Sequence, residues 1–127
     1  MKTKKKRILF IEDEPDQRMM VSLRLQKNGF SVMVARDGHE GLALATKEKP
    51  DLILLDIIMP GMDGFELCQR LRSQAVTKEI PIIATTAAGT ENLESKCLSA
   101  GADECLRKPY ESSDLVAKIE ELLKSQQ

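Results

Sequence analysis

The chain holds no tryptophan, one tyrosine and three phenylalanines among 127 residues. A protein that sandwiches a flat cofactor between aromatic rings therefore has little to build with. Histidine is scarcer still. His39, in "RDGHEG", is the only one, which rules out His-dependent catalytic triads and multi-His metal sites. Its neighbouring glycines mark a turn, so it reads as a solvated surface residue. Cys68, Cys97 and Cys105 are odd in number and lack a C-x-x-C pair, so neither a disulfide framework nor a zinc site is indicated. They read as reduced thiols in helices or strands. No apolar run exceeds four residues, against the ~20 that a membrane span needs, and Met1 to Arg7 has no apolar stretch that could serve as a signal peptide. The expectation is a soluble, cytoplasmic protein with no membrane contact. Neither sign of charge dominates: 19 Lys plus Arg face 20 Asp plus Glu, a net charge of -1. Partners must then be recognised locally, not through a global field.

The length suits one domain with a real core. Short apolar runs recur along it: "ILFI" (Ile8 to Ile11), "SVMVA" (Ser31 to Ala35), "LILL" (Leu52 to Leu55), "IPIIATT" (Ile80 to Thr86) and "ECL" (Glu104 to Leu106). Between them lie stretches of helical length, Pro15 to Asn28, His39 to Lys47, Gly64 to Gln74, Asn92 to Ala100 and Ser113 to Lys124. Pro15 suits a first helical turn, Asn28-Gly29 and Ala100-Gly101 suit left-handed helix ends, and Ser113-Asp114 supplies an N-cap for the last helix. "ILFI" and "LILL" are apolar at every residue, as strands covered on both faces must be, whereas Phe30, Val32 and Val34 alternate with Ser31, Met33 and Ala35. The second strand is therefore an edge. Right-handed crossovers and helices on both faces then predict an α/β fold, a flavodoxin-like doubly wound (βα)5 unit with a parallel five-stranded sheet of order 2-1-3-4-5. The basic start "KTKKKR" reads as a solvated tail, not as a nucleic-acid or lipid contact.

In an open parallel sheet the C-terminal ends of the strands share one edge, and ligands bind there. The first strand stops at Glu12-Asp13, the third at Asp56, the fourth at Thr85-Thr86 and the fifth at Arg107-Lys108-Pro109. Taken singly these are weak signals, since an Asp after a strand is usually a cap or turn residue and "EDE" often just feeds a helix N-terminus. Their joint placement is what matters. Three acids, a hydroxyl pair and a lysine on one rim are the residue types of metal-assisted phosphoryl transfer. Carboxylates that close repel unless a cation neutralises them. A hard ion such as Mg²⁺, which takes oxygen ligands and keeps several waters, is the economical solution.

These residues resemble the response-regulator receiver domain of two-component signalling. The resemblance covers nearly the whole chain: "ILFIEDEP" looks like the family's acidic-pair segment, "DLILLDIIMPGMDGFEL" like its phosphoacceptor segment, "IPIIATTA" like its hydroxyl segment and "SAGADECLRKPY" like its lysine-proline segment. With the basic start set aside as a tail over residues 1–7, it implies a receiver domain over 8–127. It also implies that Asp56 is the phosphorylated nucleophile. Asp13 and Asp56 would bind Mg²⁺ directly, Glu12 mainly through water, and the Ile58 carbonyl would complete the ligands. Thr86 matches the family's hydroxyl, Lys108 its lysine, and Lys108-Pro109 its cis bond; Thr85 then faces the other way. The expected donor is a sensor histidine kinase or phosphotransfer protein, and the output is an unknown target protein, with no direct DNA binding. Such a chain is not a turnover enzyme but a phosphoacceptor with slow self-dephosphorylation.

Three other readings fit less well. A flavodoxin-like cofactor carrier needs a phosphate-cradling loop after the first strand, where this chain has "EDEPD". An aspartyl phosphatase would want an acid two residues after Asp56, where Ile58 stands. A receiver fold acting only as a protein-binding module would have lost the acceptor, an acid or the lysine, and all are present. Two departures from the family remain. Cys105 occupies the position of its usual aromatic, three before the lysine. Ile58 and Ala88, at the positions that hold or block the hydrolytic water, cannot hydrogen-bond it through their side chains.

Overall fold

The computed structural model describes residues 4–87 and 92–125. Along the chain run β1 (Arg7–Ile11), α1 (Pro15–Lys27), β2 (Ser31–Ala35), α2 (Gly38–Glu48), β3 (Leu52–Asp56), α3 (Gly64–Ser73), β4 (Ile82–Ala87), α4 (Leu93–Ala100), β5 (Glu104–Lys108) and α5 (Ser112–Lys124). All pairings are parallel, in the order β2-β1-β3-β4-β5. The alternating strand β2 lies at an edge with Ser31 and Val34 exposed, while β3 is buried at every residue. Strand β4 starts two residues later than its apolar run. Pro81 has no N–H for the ladder, and it enters the sheet only as an acceptor, from Ile53 N–H at 2.9 Å.

Because successive strand residues face opposite ways, the sheet divides the core in two. Under α1 and α5, Ile8, Phe10, Leu52, Leu54 and Ile83 pack with Val21, Leu25, Phe30, Leu115, Ile119 and Leu123. The opposite face sets Leu9, Ile11, Ile53, Leu55, Ile82 and Ala84 against side chains of α2, α3 and α4, among them Ala45, Leu67, Leu71 and Cys97.

Acidic residues start most of the helices by accepting otherwise unpaired backbone N–H groups. Glu14 takes Asp16 and Gln17 N–H at 3.1 and 2.8 Å, Asp37 takes Glu40 N–H at 2.8 Å, and Asp63 takes Glu66 N–H at 2.9 Å. Helix α5 departs from the expectation. It begins at Ser112 with Glu111 at the N-cap and no side-chain cap bond, so Ser113 and Asp114 sit inside the first turn. There Asp114 meets the positive end of the helix dipole instead of capping it. Gly29 and Gly101 take positive φ of 92° and 122°, the left-handed helix ends expected at those positions.

The rim at the N-terminal ends of the strands is tied by long-range bonds. Arg7 N–H donates to Asp51 Oδ2 at 2.7 Å and Asp51 N–H to Arg7 O at 2.8 Å, while the Arg7 guanidinium reaches Glu48 O at 2.7 Å. Arg72 at the end of α3 donates to the carbonyls of Gly101, Lys78 and Ile80 at 2.8, 2.9 and 2.6 Å, and to Asp103 Oδ2 at 2.8 Å. Asp103 Oδ2 also accepts the first N–H of β4, from Ile82. No helix among the described residues is long and apolar enough to cross a membrane.

Candidate functional site

At the opposite rim, β1, β3 and β5 deliver their terminal side chains to one point. Glu12 N–H continues the β1–β2 ladder by donating to Ala35 O at 3.0 Å, and Ile57 N–H continues β3 against Thr85 O at 3.0 Å. The acidic loop after β1 is held from below by Arg18, whose guanidinium donates to Glu12 O at 2.9 Å and Asp13 O at 3.3 Å. Beneath Asp56 the start of α3 comes so near that Gly64 N–H donates to Ile57 O at 2.8 Å. A Cβ on Gly64 would lie 2.5 Å from Ile57 Cα and 2.9 Å from Asp56 O. Only glycine lets the helix reach this close.

Glu12, Asp13 and Asp56 each offer a carboxylate oxygen within 4.8 Å of the others. Glu12 and Asp56 are buried and Asp13 is half-buried. Lys108 Nζ donates to Asp56 Oδ2 at 2.9 Å and to Glu12 Oε1 at 3.4 Å, and Ile58 N–H donates to Asp56 Oδ1 at 3.1 Å. Burial, seconded by the charge of Asp56, pushes the Glu12 carboxyl above its ordinary value against the opposing pull of Lys108. For Lys108 burial works downward, but its bonds to the two carboxylates outweigh it and the amine is held above its ordinary value. The lysine is a fixed cation here. One ammonium among three carboxylates leaves an oxygen-only cluster of net negative charge, the donor set a hard divalent ion takes.

Of the predicted site residues, Glu12, Asp13, Asp56 and Lys108 come together directly, and the backbone of Ile58 joins them. Ile58's side chain points to solvent, 58% exposed. Thr86 is buried on the α4 side, where its hydroxyl accepts from the Cys105 thiol at 4.0 Å. Thr85 turns the other way, its hydroxyl donating to Leu55 O at 3.4 Å. Lys108-Pro109 is cis. Ala88 lies outside the described residues. Sequence reasoning missed Arg18; its only signal is a basic residue one turn into the helix that follows the acids. A cleft beside Lys108 is lined by Met20 and Arg24 of α1 and by Pro109 and Tyr110.

Residues 8–120 match the sequence profile of the family described as the response regulator receiver domain. The chain belongs to that family. Among the receiver's relatives, the DNA-binding dual master transcriptional regulator RpaA of a Synechocystis species is 41% identical over 93% of this chain and 49% of its own length. The phosphate regulon regulator PhoB of Pseudomonas aeruginosa is 38% identical over 94% of this chain and 52% of its own. The receiver thus spans about half the length of these relatives. Protein PilH of Pseudomonas aeruginosa, at 37% identity, is matched over 92% of this chain and 97% of its own. Among solved structures, a response regulator from Chloroflexus aurantiacus superposes with a TM-score of 0.92 at 34% identity, covering 95% of this receiver and 99% of that chain. The chemotaxis protein CheY4 of Vibrio cholerae gives 0.86 at 33% identity, over 93% and 98%.

Proposed function

We propose that this receiver accepts a phosphoryl group on Asp56 from a phosphohistidine of a sensor kinase or phosphotransfer protein, and that the modified state switches a protein-binding surface. The observation that carries the reading is the contact of Asp56 with Lys108 inside a three-carboxylate cluster. An aspartate meant only to cap a helix has no use for either. Asp56 attacks phosphorus, a new P–O bond forms as the donor's P–N bond breaks, and the imidazole leaves. Lys108, already seated on Asp56, neutralises charge on the phosphoryl oxygens, and the Ile58 N–H keeps the carboxylate oriented for attack. Mg²⁺, held by Asp13 and Asp56 with Glu12 behind them and the Ile58 carbonyl beside them, would supply the remaining charge neutralisation. Thr86 serves the product: its hydroxyl leaves Cys105 and donates to the phosphoryl group, drawing in the end of β4. Water then attacks the acyl phosphate slowly and restores Asp56, so the chain is a switch and not a turnover enzyme. Cytoplasmic kinases are the natural donors.

Intact-mass measurement after exposure to a small acyl phosphate tests this. A single phosphate increment that requires Mg²⁺ and vanishes in Asp56→Asn is expected. An undiminished increment in that variant would falsify the assignment.

A further inference from the structure

The three carboxylates of the cluster are not held alike. Lys108 bonds to Glu12 and Asp56, Glu14 N–H donates to Glu12 Oε2 at 3.3 Å, and Ile58 N–H donates to Asp56. Among the described residues, no donor reaches the carboxylate of Asp13. Its aim therefore comes from its backbone. The Glu12 carbonyl belongs to the planar peptide unit before the Asp13 Cα, and the Asp13 carbonyl to the unit after it. Arg18 Nη1 donates to both, at 2.9 and 3.3 Å. With both planes pinned, φ and ψ of Asp13 are restrained, and so is the direction in which its Cβ leaves the chain. The ends of the loop are anchored separately, by Glu12 N–H on Ala35 O and Arg18 N–H on Glu14 O, each at 3.0 Å. Arg18 is also an unexpected residue for its place. A cation near a helix N-terminus opposes the dipole, and Glu12, Asp13, Glu14 and Asp16 all lie within six residues of it. Its half-buried guanidinium nevertheless forms no ion pair among the described residues and spends its bonds on the two carbonyls.

We propose that Arg18 is a positioning residue that sets the Mg²⁺ affinity of the acidic rim by holding Asp13 in place as a ligand. The inference rests on the metal-assisted reading above for the metal's use in phosphoryl transfer, and on the two carbonyl bonds alone for the clamp. Two effects of the guanidinium oppose each other. Its charge, close behind the acids, repels a dication, so removing it should tighten Mg²⁺ binding. Its bonds fix the backbone on both sides of Asp13, so removing them should weaken binding. The repulsion is screened, because the guanidinium is only half-buried and solvent and salt reach it. Groups that orient metal ligands from behind typically account for roughly 10–100-fold in metal affinity. The bonds outweigh the charge, and the sign of the change on removing Arg18 separates a clamp from a bystander cation.

The test is a calorimetric Mg²⁺ titration of the full chain with no phosphodonor present. Arg18→Ala should bind Mg²⁺ about tenfold more weakly than the parent, or weaker still. Arg18→Lys keeps the charge but replaces a planar fork by one ammonium, and should recover only part of the loss. Arg24→Ala removes a positive charge from the same helix without touching the loop, and should bind at least as tightly as the parent. Binding by Arg18→Ala as tight as the parent's or tighter would overturn the proposal. An equal loss in Arg24→Ala would assign the effect to helix charge and overturn it too. Urea unfolding in metal-free buffer checks the fold of each variant; should Arg18→Ala not fold, Arg18→Lys decides, and parental affinity in it overturns the clamp. Phosphate uptake from a small acyl phosphate gives a second reading. In Arg18→Ala the Mg²⁺ concentration at half-maximal rate should rise while the rate at saturating Mg²⁺ stays near the parent's, and the reverse pattern overturns the positioning role. A parent that binds Mg²⁺ yet takes up no phosphate counts against the phosphoacceptor reading alone. A parent that binds no Mg²⁺ overturns the metal site and the role of Arg18 together.

Discussion

Lys108 holds Asp56 at 2.9 Å across 52 residues of sequence. Under the phosphoacceptor reading the lysine stays with the oxygens as charge builds on them, so Lys108→Ala should slow uptake from acyl phosphate by ~10²-fold, the usual scale for losing one electrostatic stabiliser. Thr85→Ala should change it little, because that hydroxyl is turned to Leu55. Stopped-time mass spectra of the two variants decide between them. Equal rates would mean that the lysine is only a structural counter-ion.

Asp13 receives no ion pair among the described residues, whereas Lys108 serves both Glu12 and Asp56. Asp13→Asn should therefore raise stability in metal-free buffer by relieving repulsion. The parent should gain up to about 2.7 kcal/mol in urea unfolding at a hundredfold excess of Mg²⁺ over its Kd. The variant should gain far less, and an equal gain would remove Asp13 from the metal site.

The exposed side chain of Ile58 leaves an attacking water without a polar partner at that position. Ile58→Asn should shorten the life of the phosphorylated form, read as decay of the phosphate mass increment. Should the variant decay no faster, access to the phosphorus and not orientation of the water sets the rate.

Arg72 serves three carbonyls and Asp103 from one guanidinium. Arg72→Ala leaves partly buried acceptors without donors and should cost roughly 2–3 kcal/mol in urea unfolding. Arg72→Lys should recover little, because a single ammonium cannot span the same four acceptors. Full recovery by lysine would reduce the role of Arg72 to charge alone.

The Arg36 backbone N–H and guanidinium hold the Glu40 carboxyl below its ordinary value. A group depressed in the folded state lends stability that is complete above its unfolded value near 4.5 and is lost as pH falls through the lowered one. Glu40→Gln should flatten the acid limb of the stability–pH curve slightly and leave neutral pH untouched. An unaltered limb would show that the bond persists in the unfolded chain.

The parallel order was legible because the runs Ile8 to Ile11 and Leu52 to Leu55 are apolar at every residue while β2 alternates. The acids and lysine were legible because strand ends share a rim whatever their separation in sequence. What escaped depends on contacts that spacing does not encode. Arg18 and Arg72 bond to backbone carbonyls, which any residue offers, so nothing in their neighbours' identities marks them. The start of α5 was misread because Ser113-Asp114 looks like a cap, while the helix gains its first turn from Glu111 without a side-chain bond.

The acidic rim gathers like charges and the other rim is laced together by Arg7, Asp51, Arg72 and Asp103. Tension and restraint therefore occupy opposite ends of the same five strands. Thermal hardening and tuning of the acidic cluster become separable engineering tasks: substitutions that reinforce the laced rim should raise heat resistance without disturbing Asp56 and Lys108 at the far end of the strands.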